Sequence, residues 1–220
     1  ENIFRNVNIA LVNELAQLCD RMGDLSVWEV IEAASTKPFG YMPFYPGPGI
    51  GGHCIPVDPH YLSWLARKHD FETSFITLSA RINDQMPFHV VNAITKAVAE
   101  QPVRLRDAKV LLLGAAFKKN VNDTRHAPIF KVMEALQDEG VRHIAYSDPH
   151  VPTLRADVVP GGEAMHAVDL TPESVADHDV AVVLTDHDAF PYAVVVEHAP
   201  VVIDTRNALD PELQAHDSVR

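Results

Sequence analysis

The sequence has few of the features that mark membrane, nucleic-acid-binding or disulfide-rich secreted proteins. Its longest apolar runs are as short as Val110–Leu113 and Val180–Leu184, whereas a membrane-spanning helix needs about 20 apolar residues. Basic residues are also scarce, because 18 lysines and arginines stand against 30 aspartates and glutamates, for a formal net charge of −12. Nucleic acid is bound through a basic face that neutralises phosphates. We therefore expect neither a membrane nor nucleic acid as a partner.

Cysteine and recognisable metal-binding spacings are scarce as well. The two cysteines, Cys19 and Cys54, are too few for a typical disulfide-stabilised secreted protein, although a disulfide between them stays open. The 12 histidines are scattered, with no HxxxH or CxxC spacing, so we predict no metal site. The sequence also has no GxSxG motif that would mark a serine nucleophile.

The first hundred residues follow a helical pattern around one long loop. Apolar residues that recur every three or four positions predict four helices, over 2–22, 26–35, 58–68 and 73–100. Asp24 and Ser26 are the predicted caps of the second helix, and Pro87 is expected to break or kink the fourth. The prolines and glycines of residues 36–58 predict a structured loop.

The pattern changes at Gln101-Pro102, after which short apolar runs alternate with helical segments. Runs typical of buried strands occur at 109–113, 143–147, 180–185 and 201–204, and an amphipathic helix is predicted over 127–139. This alternation favours a parallel sheet with right-handed crossovers. We predict an α/β protein: an all-helical domain, residues 1–100, whose long last helix connects to a Rossmann-like parallel α/β domain, residues 101–220.

The stretch Pro46–Asp58 is the first that suggests chemistry. Four glycines within six positions allow the backbone to approach a ligand closely. Cys54 precedes a predicted helix, whose N-terminus favours a thiolate, and Asp58 is placed to orient or activate a water beside the sulfur. Neighbouring side chains normally diverge, so His53 is not predicted to pair with Cys54. A buried structural cysteine behind a tight turn is an equally simple interpretation.

The second such stretch, Gly114–Arg125, follows the first predicted strand. Ligands of open parallel sheets bind at the carboxyl ends of the strands. No GxGxxG fingerprint is present in this half of the chain, so we expect no dinucleotide there. Two lysines and Arg125 suit a phosphate or carboxylate ligand, whereas a solvated loop with surface ion pairs is the alternative.

Several motifs occur together in a recognisable order: Glu1-Asn2, Asn13-Glu14-Leu15, GxGGxCxPxD at Gly49–Asp58, Ala80-Arg81-Ile82-Asn83, FKxxxxDTR at Phe117–Arg125, and Asp148-Pro149. In this order they resemble the UDP-glucose/GDP-mannose dehydrogenase family of nucleotide-sugar dehydrogenases, over essentially the whole chain. Residues 37–64 are most similar to bacterial members that oxidise UDP-N-acetyl-hexosamines, notably UDP-N-acetylglucosamine 6-dehydrogenases.

The resemblance implies a mechanism and its residues. Family members oxidise the C6 alcohol of a UDP-sugar to a uronic acid in a four-electron, NAD-dependent reaction that supplies precursors of surface polysaccharides. Cys54 matches the nucleophile that forms a thiohemiacetal and a thioester, Asp58 the aspartate that positions or activates water, and Asn2 a residue that stabilises the oxyanion. The implied substrate contacts are Gly51, Gly52, Lys118, Arg125 (in its own or a neighbouring subunit's site), Lys37 and Tyr41.

The resemblance also implies what lies outside this chain. Family members bind NAD mainly through an N-terminal Rossmann domain, which would precede Glu1 together with the lysine of a KxxxN motif whose asparagine matches Asn2. The chain would then be a fragment that is inactive alone, from a cytoplasmic homodimer formed through the helical domain and its 74–100 helix. UDP-glucose as the substrate, a non-catalytic nucleotide-binding module, and a thiol hydrolase or transferase stay open as alternatives.

Overall fold

The computed structural model describes residues 1–23 and 25–220, so the predicted cap Asp24 lies outside the described residues. Four helices come before any strand: α1 (Asn2–Met22), α2 (Val27–Ser35), α3 (Asp58–Arg67) and α4 (Ser74–Ala99). Their bounds agree with the predicted helices to within one residue. Of the break or kink expected at Pro87, the break is wrong, because α4 continues through this residue, and the kink stays a prediction. No helix or strand lies between Ser35 and Asp58.

After α4 the chain alternates between strands and helices. Four strands form a parallel sheet in the order β2-β1-β5-β6: β1 (Lys109–Leu113), β2 (His143–Ser147), β5 (Val180–Val183) and β6 (Val202–Asp204). The helix predicted after β1 is α5 (Pro128–Asp138). The sequence patterns did not predict the shorter elements: the antiparallel pair β3 (Thr153–Leu154) and β4 (Met165–His166), and helices α6 (Pro172–Ala176), α7 (Tyr192–His198) and α8 (Pro211–Gln214).

The predicted class, helices followed by a parallel α/β sheet, is confirmed. The chain runs from β1 through α5 to β2, which pairs with β1 on one side, whereas β5 pairs with β1 on the other side. The strand order therefore reverses between β1 and β5. In open α/β sheets a ligand binds in the crevice at the carboxyl ends of the strands where the order reverses. The loops after β1 and β5 therefore lie at the edge of the sheet where a ligand-binding site is expected.

Helix α4 joins the helical part to the sheet. Its C-terminal half buries Val91 and Ile94 in the same apolar cluster as Val110 and Leu112 of β1. Each buried aliphatic side chain of this kind contributes about 1.5–3 kcal/mol to stability. A separate apolar cluster packs α1 against α2. Within the described residues, none of the helices combines the length and apolar content needed to cross a bilayer.

The outer edge of the sheet is covered by the last residues of the chain. The amide of Val202 in β6 donates to the carbonyl of Ser218 at 2.8 Å, and the amide of Arg220 donates back to the carbonyl of Val202 at 2.8 Å. An edge strand otherwise presents unpaired donors and acceptors to other molecules. The segment therefore continues the sheet beyond β6.

Candidate active site

The glycine-rich loop is fastened to α1 and α4 by buried side-chain amides. Asn6 donates to the carbonyl of Ile55 at 3.1 Å, and the amide of Gly47 donates to Oδ1 of Asn13 at 3.0 Å. Asn13 donates in turn to Oδ1 of Asn83 at 2.9 Å, and Asn83 donates to the carbonyl of Asn6 at 3.1 Å. Both ends of the loop that carries Cys54 are thus held by one network, in which all three asparagines are buried.

The sequence analysis quoted two of these asparagines as parts of motifs but gave none of them a role. A usable indication was present in the sequence, because Asn2, Asn6 and Asn13 recur at spacings of four and seven residues. These spacings put them on one face of a helix. A stripe of uncharged amides on an otherwise apolar face indicates that the helix forms hydrogen bonds with the backbone of a neighbouring segment, in addition to packing against side chains.

Asn2 and Asp58 meet at the end of this loop. Nδ2 of Asn2 donates to Oδ2 of Asp58 at 2.6 Å, which joins the first turn of α1 to the first turn of α3. Cys54, four residues before Asp58, is exposed and reduced. The exposed thiol excludes the interpretation of Cys54 as a buried structural cysteine. Cys19 is free as well and buried, so the two cysteines do not form a disulfide.

Two local contacts of Cys54 differ from the expectation. Nδ1 of His53 lies 4.0 Å from Sγ of Cys54, so the two neighbouring side chains do not diverge as expected. The amides of Val57 and Asp58 donate to the carbonyl oxygen of Cys54 at 3.1 and 2.8 Å. These amides at the start of α3 are therefore occupied by backbone oxygen and not by the sulfur.

The glycine-rich loop also contacts the α/β part of the chain. A Cβ added to Gly51 would lie 2.5 Å from Cβ of Phe117, and a Cβ added to Gly52 would lie 3.0 Å from the aromatic ring of Phe117. The amide of Gly52 donates to the carbonyl of Arg125 at 2.8 Å. Glycine is thus required for two segments, the cysteine loop and the FKxxxxDTR segment, to approach each other this closely.

Arg125 and Lys118 face different surroundings. Arg125 donates to Asp123 through Nε and Nη2 at 2.6–3.0 Å. This bonding raises the pKa of Arg125, and the charge of a Cys54 thiolate raises it further, so the guanidinium is within electrostatic range of the sulfur. Lys118 is exposed and, among the described residues, makes no ion pair, whereas the neighbouring Lys119 binds Asp188 at 2.6 Å.

Lys37 and Tyr41 are not brought into this cluster. Both lie in the exposed segment between α2 and the glycine-rich loop. In the described part of the chain neither residue forms a side-chain hydrogen bond or ion pair with another predicted site residue. A residue that the sequence analysis missed does reach the loop: the guanidinium of Arg206, which donates to Asp186 at 3.3 Å, lies where a side chain at Gly47 would project.

Comparison with known families identifies this arrangement. The model for the central domain of the UDP-glucose/GDP-mannose dehydrogenase family matches residues 1–85, and the model for the UDP binding domain of that family matches residues 111–211. The chain belongs to the UDP-glucose/GDP-mannose dehydrogenase family. This family member carries the glycine–cysteine loop within the first match and the FKxxxxDTR segment within the second.

Relatives with known names are nucleotide-sugar dehydrogenases. The UDP-N-acetyl-D-mannosamine dehydrogenase of Methanococcus vannielii is 34% identical over 97% of this chain and 47% of its own length. The UDP-N-acetyl-D-glucosamine 6-dehydrogenase of Pseudomonas aeruginosa is 36% identical over 81% of this chain and 39% of its own length. The chain therefore spans about half the length of the curated relatives it matches.

Solved structures agree with this membership. The UDP-D-ManNAc dehydrogenase of Pyrococcus horikoshii superimposes with a TM-score of 0.79 at 30% identity, covering 96% of this chain and 47% of that one. The NDP-N-acetyl-D-galactosaminuronic acid dehydrogenase of Methanosarcina mazei gives a TM-score of 0.81 at 27% identity, covering 100% of this chain and 48% of that one.

The turn after β1 in this family member does not fit a dinucleotide. In a dinucleotide-binding turn the backbone amides face the pyrophosphate. Here the amides of Ala115 and Ala116 donate instead to the buried carboxylate of Asp148 at 2.7 and 3.0 Å. A carboxylate of the protein thus occupies the place of the anion, and NAD has no binding site at this turn.

The seam between the helical part and the sheet also holds a cavity of about 930 Å³. It is lined by α4 and α5, by residues 151–160, and by Ile50 and Arg125. Cys54, Asp58 and Lys118 do not line it. The cavity therefore borders the cysteine loop at Gly49, Ile50 and Pro56. Among residues 1–23 and 25–220, no group of histidine, cysteine and acidic side chains is close enough to hold a metal ion.

Proposed function

We propose that this chain forms the substrate half of an NAD-dependent 6-dehydrogenase that oxidises a UDP-N-acetyl-hexosamine to the corresponding uronic acid. The observation that supports it best is the cluster of an exposed Cys54 with the bonded pair Asn2 and Asp58. These three residues come from two separate helices and a loop, and they match three of the residues that the family resemblance assigns to the thiol-mediated oxidation.

Cys54 is assigned the covalent step. When bound, NAD accepts the hydrides that leave C6 of the sugar. The sulfur of Cys54 adds to the aldehyde carbon left by the first oxidation, which gives a thiohemiacetal. Loss of the second hydride from that carbon gives a thioester, and water then displaces the sulfur to give the carboxylate. The covalent bond keeps the aldehyde from leaving between the two oxidations.

Asn2 is assigned to the oxygen of the thiohemiacetal, and Asp58 is assigned to the water that attacks the thioester. The side-chain amide of Asn2 has two hydrogens, and one of them is donated to Asp58. The other is available to the oxygen of the thiohemiacetal as it gains charge. Because Oδ2 of Asp58 accepts from Asn2, its Oδ1 is left to accept from the water that attacks the thioester.

The substrate is assigned to the seam between the loop and the sheet. Gly51 and Gly52 are assigned to the sugar on the family motif and through their backbone, because Phe117 fills the space beside their Cα atoms. Lys118 is the cation for the diphosphate. Arg125 binds Asp123 through Nε and Nη2, so Nη1 is the part of its guanidinium available to a ligand near the sulfur. Lys37 and Tyr41 are assigned to the substrate on the family motif alone.

The turn after β1 does not fit NAD, and on the family resemblance we assign NAD to a part of the full-length protein outside this chain. The N-acetyl-hexosamine is supported by the names of the relatives, which include dehydrogenases of N-acetylated mannosamine and glucosamine derivatives. UDP-glucose is the alternative substrate within the family.

The full-length enzyme tests the proposal. We expect two NADH per molecule of uronic acid with a UDP-N-acetyl-hexosamine, and less activity with UDP-glucose. Cys54→Ser is expected to stop acid formation while UDP-sugar binding stays within about twofold, because a hydroxyl is a far weaker nucleophile than a thiolate. Cys19→Ser is the matched control and should retain activity. Undiminished acid formation by the Cys54→Ser enzyme would exclude the thioester mechanism.

The same experiment separates the two other functions. A non-catalytic module would produce no NADH at all. A thiol hydrolase would need a histidine oriented against Cys54 by a third group. His53 is 4.0 Å away, but in the described part of the chain its side chain has no second partner to orient it.

We further propose that the full-length protein dimerises through its central helices. Large apolar side chains are exposed on α4, where Phe75 is 78% and Phe88 is 53% exposed, and on α1, where Leu11 is 55% exposed. Exposed apolar side chains that form a contiguous patch mark an interface. Sedimentation analysis should give a dimer, and Phe75→Glu should yield a monomer. A wild-type monomer at micromolar concentration would refute this.

A further inference from the structure

A buried pair of side chains lies directly behind the loop after β1. Asp148, at the end of β2, and His187, after β5, are joined by a hydrogen bond of 3.0 Å, and both side chains are fully buried. Neither residue touches the substrate site that we propose. The sequence analysis quoted Asp148 only as part of a motif and gave His187 no role.

The pair holds both ends of the loop that carries Phe117 and Lys118. At the start of the loop, Oδ2 of Asp148 accepts the amides of Ala115 and Ala116 at 2.7 and 3.0 Å. At the end of the loop, Nδ1 of His187 accepts the amide of Asn120 at 2.9 Å. Since a backbone amide only donates, Nδ1 must be the unprotonated nitrogen, and Nε2 carries the hydrogen that is donated to Asp148.

Thr185 and Asp188 form two further hydrogen bonds with this loop. The hydroxyl of Thr185 donates to the carbonyl of Ala116 at 2.6 Å, and the side chain of Asn120 donates to Asp188 at 2.6 Å. Asp148 is the hub of the arrangement. Burial opposes its charge, but the hydrogen bonds from His187 and from the loop amides outweigh burial, and its pKa falls to about 2.

The loop is thus fixed on its inner side, while Lys118 projects outward, exposed and without an ion pair among the described residues. The charge of Lys118 is therefore available to an anionic ligand. On its other side the same loop presses Phe117 against Gly51 and Gly52. One rigid segment therefore sets the position of the cation relative to the glycine loop.

We propose that Asp148 and His187 are positioning residues for substrate binding, which hold the 115–120 loop so that Lys118 meets the diphosphate of the UDP-sugar. This inference rests on the proposed function, in which Lys118 binds that diphosphate. A loop whose backbone is already held adds no backbone-ordering cost to binding, so only the side chain of Lys118 has to be ordered by the ligand. Loss of the pair should therefore weaken binding of the UDP-sugar while leaving the thiol chemistry intact.

A double-mutant cycle in the full-length enzyme tests this, with the dissociation constant of UDP from calorimetry and with KM and kcat for the UDP-sugar. We expect Lys118→Ala and His187→Ala each to weaken UDP binding by roughly tenfold. The double variant should also bind roughly tenfold, and not a hundredfold, more weakly than wild type, because both changes remove one interaction. KM should rise while kcat changes by less than about twofold.

Other variants separate positioning from general destabilisation. His187→Gln retains an N–H donor and an oxygen acceptor and should restore most of the affinity. Thr185→Val removes only the bond to Ala116 and should weaken binding by a few-fold, which keeps the test valid if His187→Ala does not fold. Val132→Ala, fully buried in α5, is the control that lowers the melting temperature without changing UDP binding.

Each outcome decides between the two proposals. If the wild-type enzyme binds no UDP, the proposed function fails, and this inference fails with it. If wild type binds UDP and Lys118→Ala weakens binding, but the losses from Lys118→Ala and His187→Ala multiply, the positioning role alone is refuted. A fall in kcat with unchanged KM in His187→Ala would refute it as well.

Discussion

Replacing Asn13 by alanine tests whether the amide network holds the cysteine loop. Asn13 is fully buried, accepts the amide of Gly47 and donates to Oδ1 of Asn83. The substitution leaves one buried donor and one buried acceptor without partners, and each such group costs about 1–3 kcal/mol. Alanine returns about 0.5 kcal/mol through its higher helix propensity. We therefore expect a net loss of about 3 kcal/mol in the free energy of unfolding.

Thermal and urea unfolding measure this loss. For a chain of about 150–250 residues, each kcal/mol lowers the melting temperature by about 2–4 °C, so we expect a fall of about 6–12 °C. Hydrogen exchange should show lost protection of the Gly47 amide. Asn8→Ala is the matched control, because Asn8 lies on the same helix and its amide binds only the carbonyl of Phe4. Equal stability of the Asn13→Ala and Asn8→Ala proteins would refute the role of the network.

Three further predictions follow from single features of the structure. Alkylation at neutral pH should modify exposed Cys54 and leave buried Cys19 intact until the protein unfolds, as mass spectrometry of the modified peptides will show; equal rates would contradict this. Asp148 has a folded-state pKa of about 2 against an ordinary 3.8, so its stabilisation is complete above about pH 4 and is lost as the pH falls through 2. This amounts to about 2 kcal/mol, and Asp148→Asn should flatten that part of the stability–pH curve. Gly40→Ala should cost about 1 kcal/mol, because Gly40 has a positive φ although open space lies beside it. Gly51→Ala should cost more, because its new Cβ would meet a phenylalanine Cβ at 2.5 Å and a carbonyl oxygen at 2.9 Å; the reverse order in urea unfolding would contradict the close approach.

The elements predicted well from the sequence are those with a long or strongly apolar pattern. The four N-terminal helices repeat an apolar spacing over nine residues or more, and the four parallel strands lie in continuous apolar runs, so both can be recognised. The pair β3 and β4, with two residues each, and the four- to seven-residue helices α6, α7 and α8 are too short to show a period. The break expected at Pro87 did not occur. Pro87 lies among the buried residues Asn83, Met86 and Val90 of α4, so tertiary packing outweighs the roughly 3 kcal/mol that an interior proline costs.

For the site, the sequence predicted which segments meet but not what holds them. Glycine, cysteine and aspartate spacing indicated the loop around Cys54, and helical spacing was available to indicate the stripe of asparagines on α1. His187 is different, because it lies 39 residues from Asp148 in the chain and belongs to no local motif. The pairing of such residues depends on strand order, which no periodicity in the sequence specifies.

The fastening of the cysteine loop by uncharged amides has a consequence for how the protein responds to its solution. Asn6, Asn13 and Asn83 neither titrate nor carry a net charge, so neither ionic strength nor pH near neutrality acts on the bonds that hold the loop. The attraction of Lys118 for a diphosphate is, in contrast, an exposed charge–charge interaction that added salt weakens, since the Debye length is only about 10 Å at 0.1 M and shortens as salt is added. Raising the salt concentration should therefore weaken binding of the nucleotide and raise KM. It should leave the loop that carries the thiol, and with it the reactive geometry, unchanged.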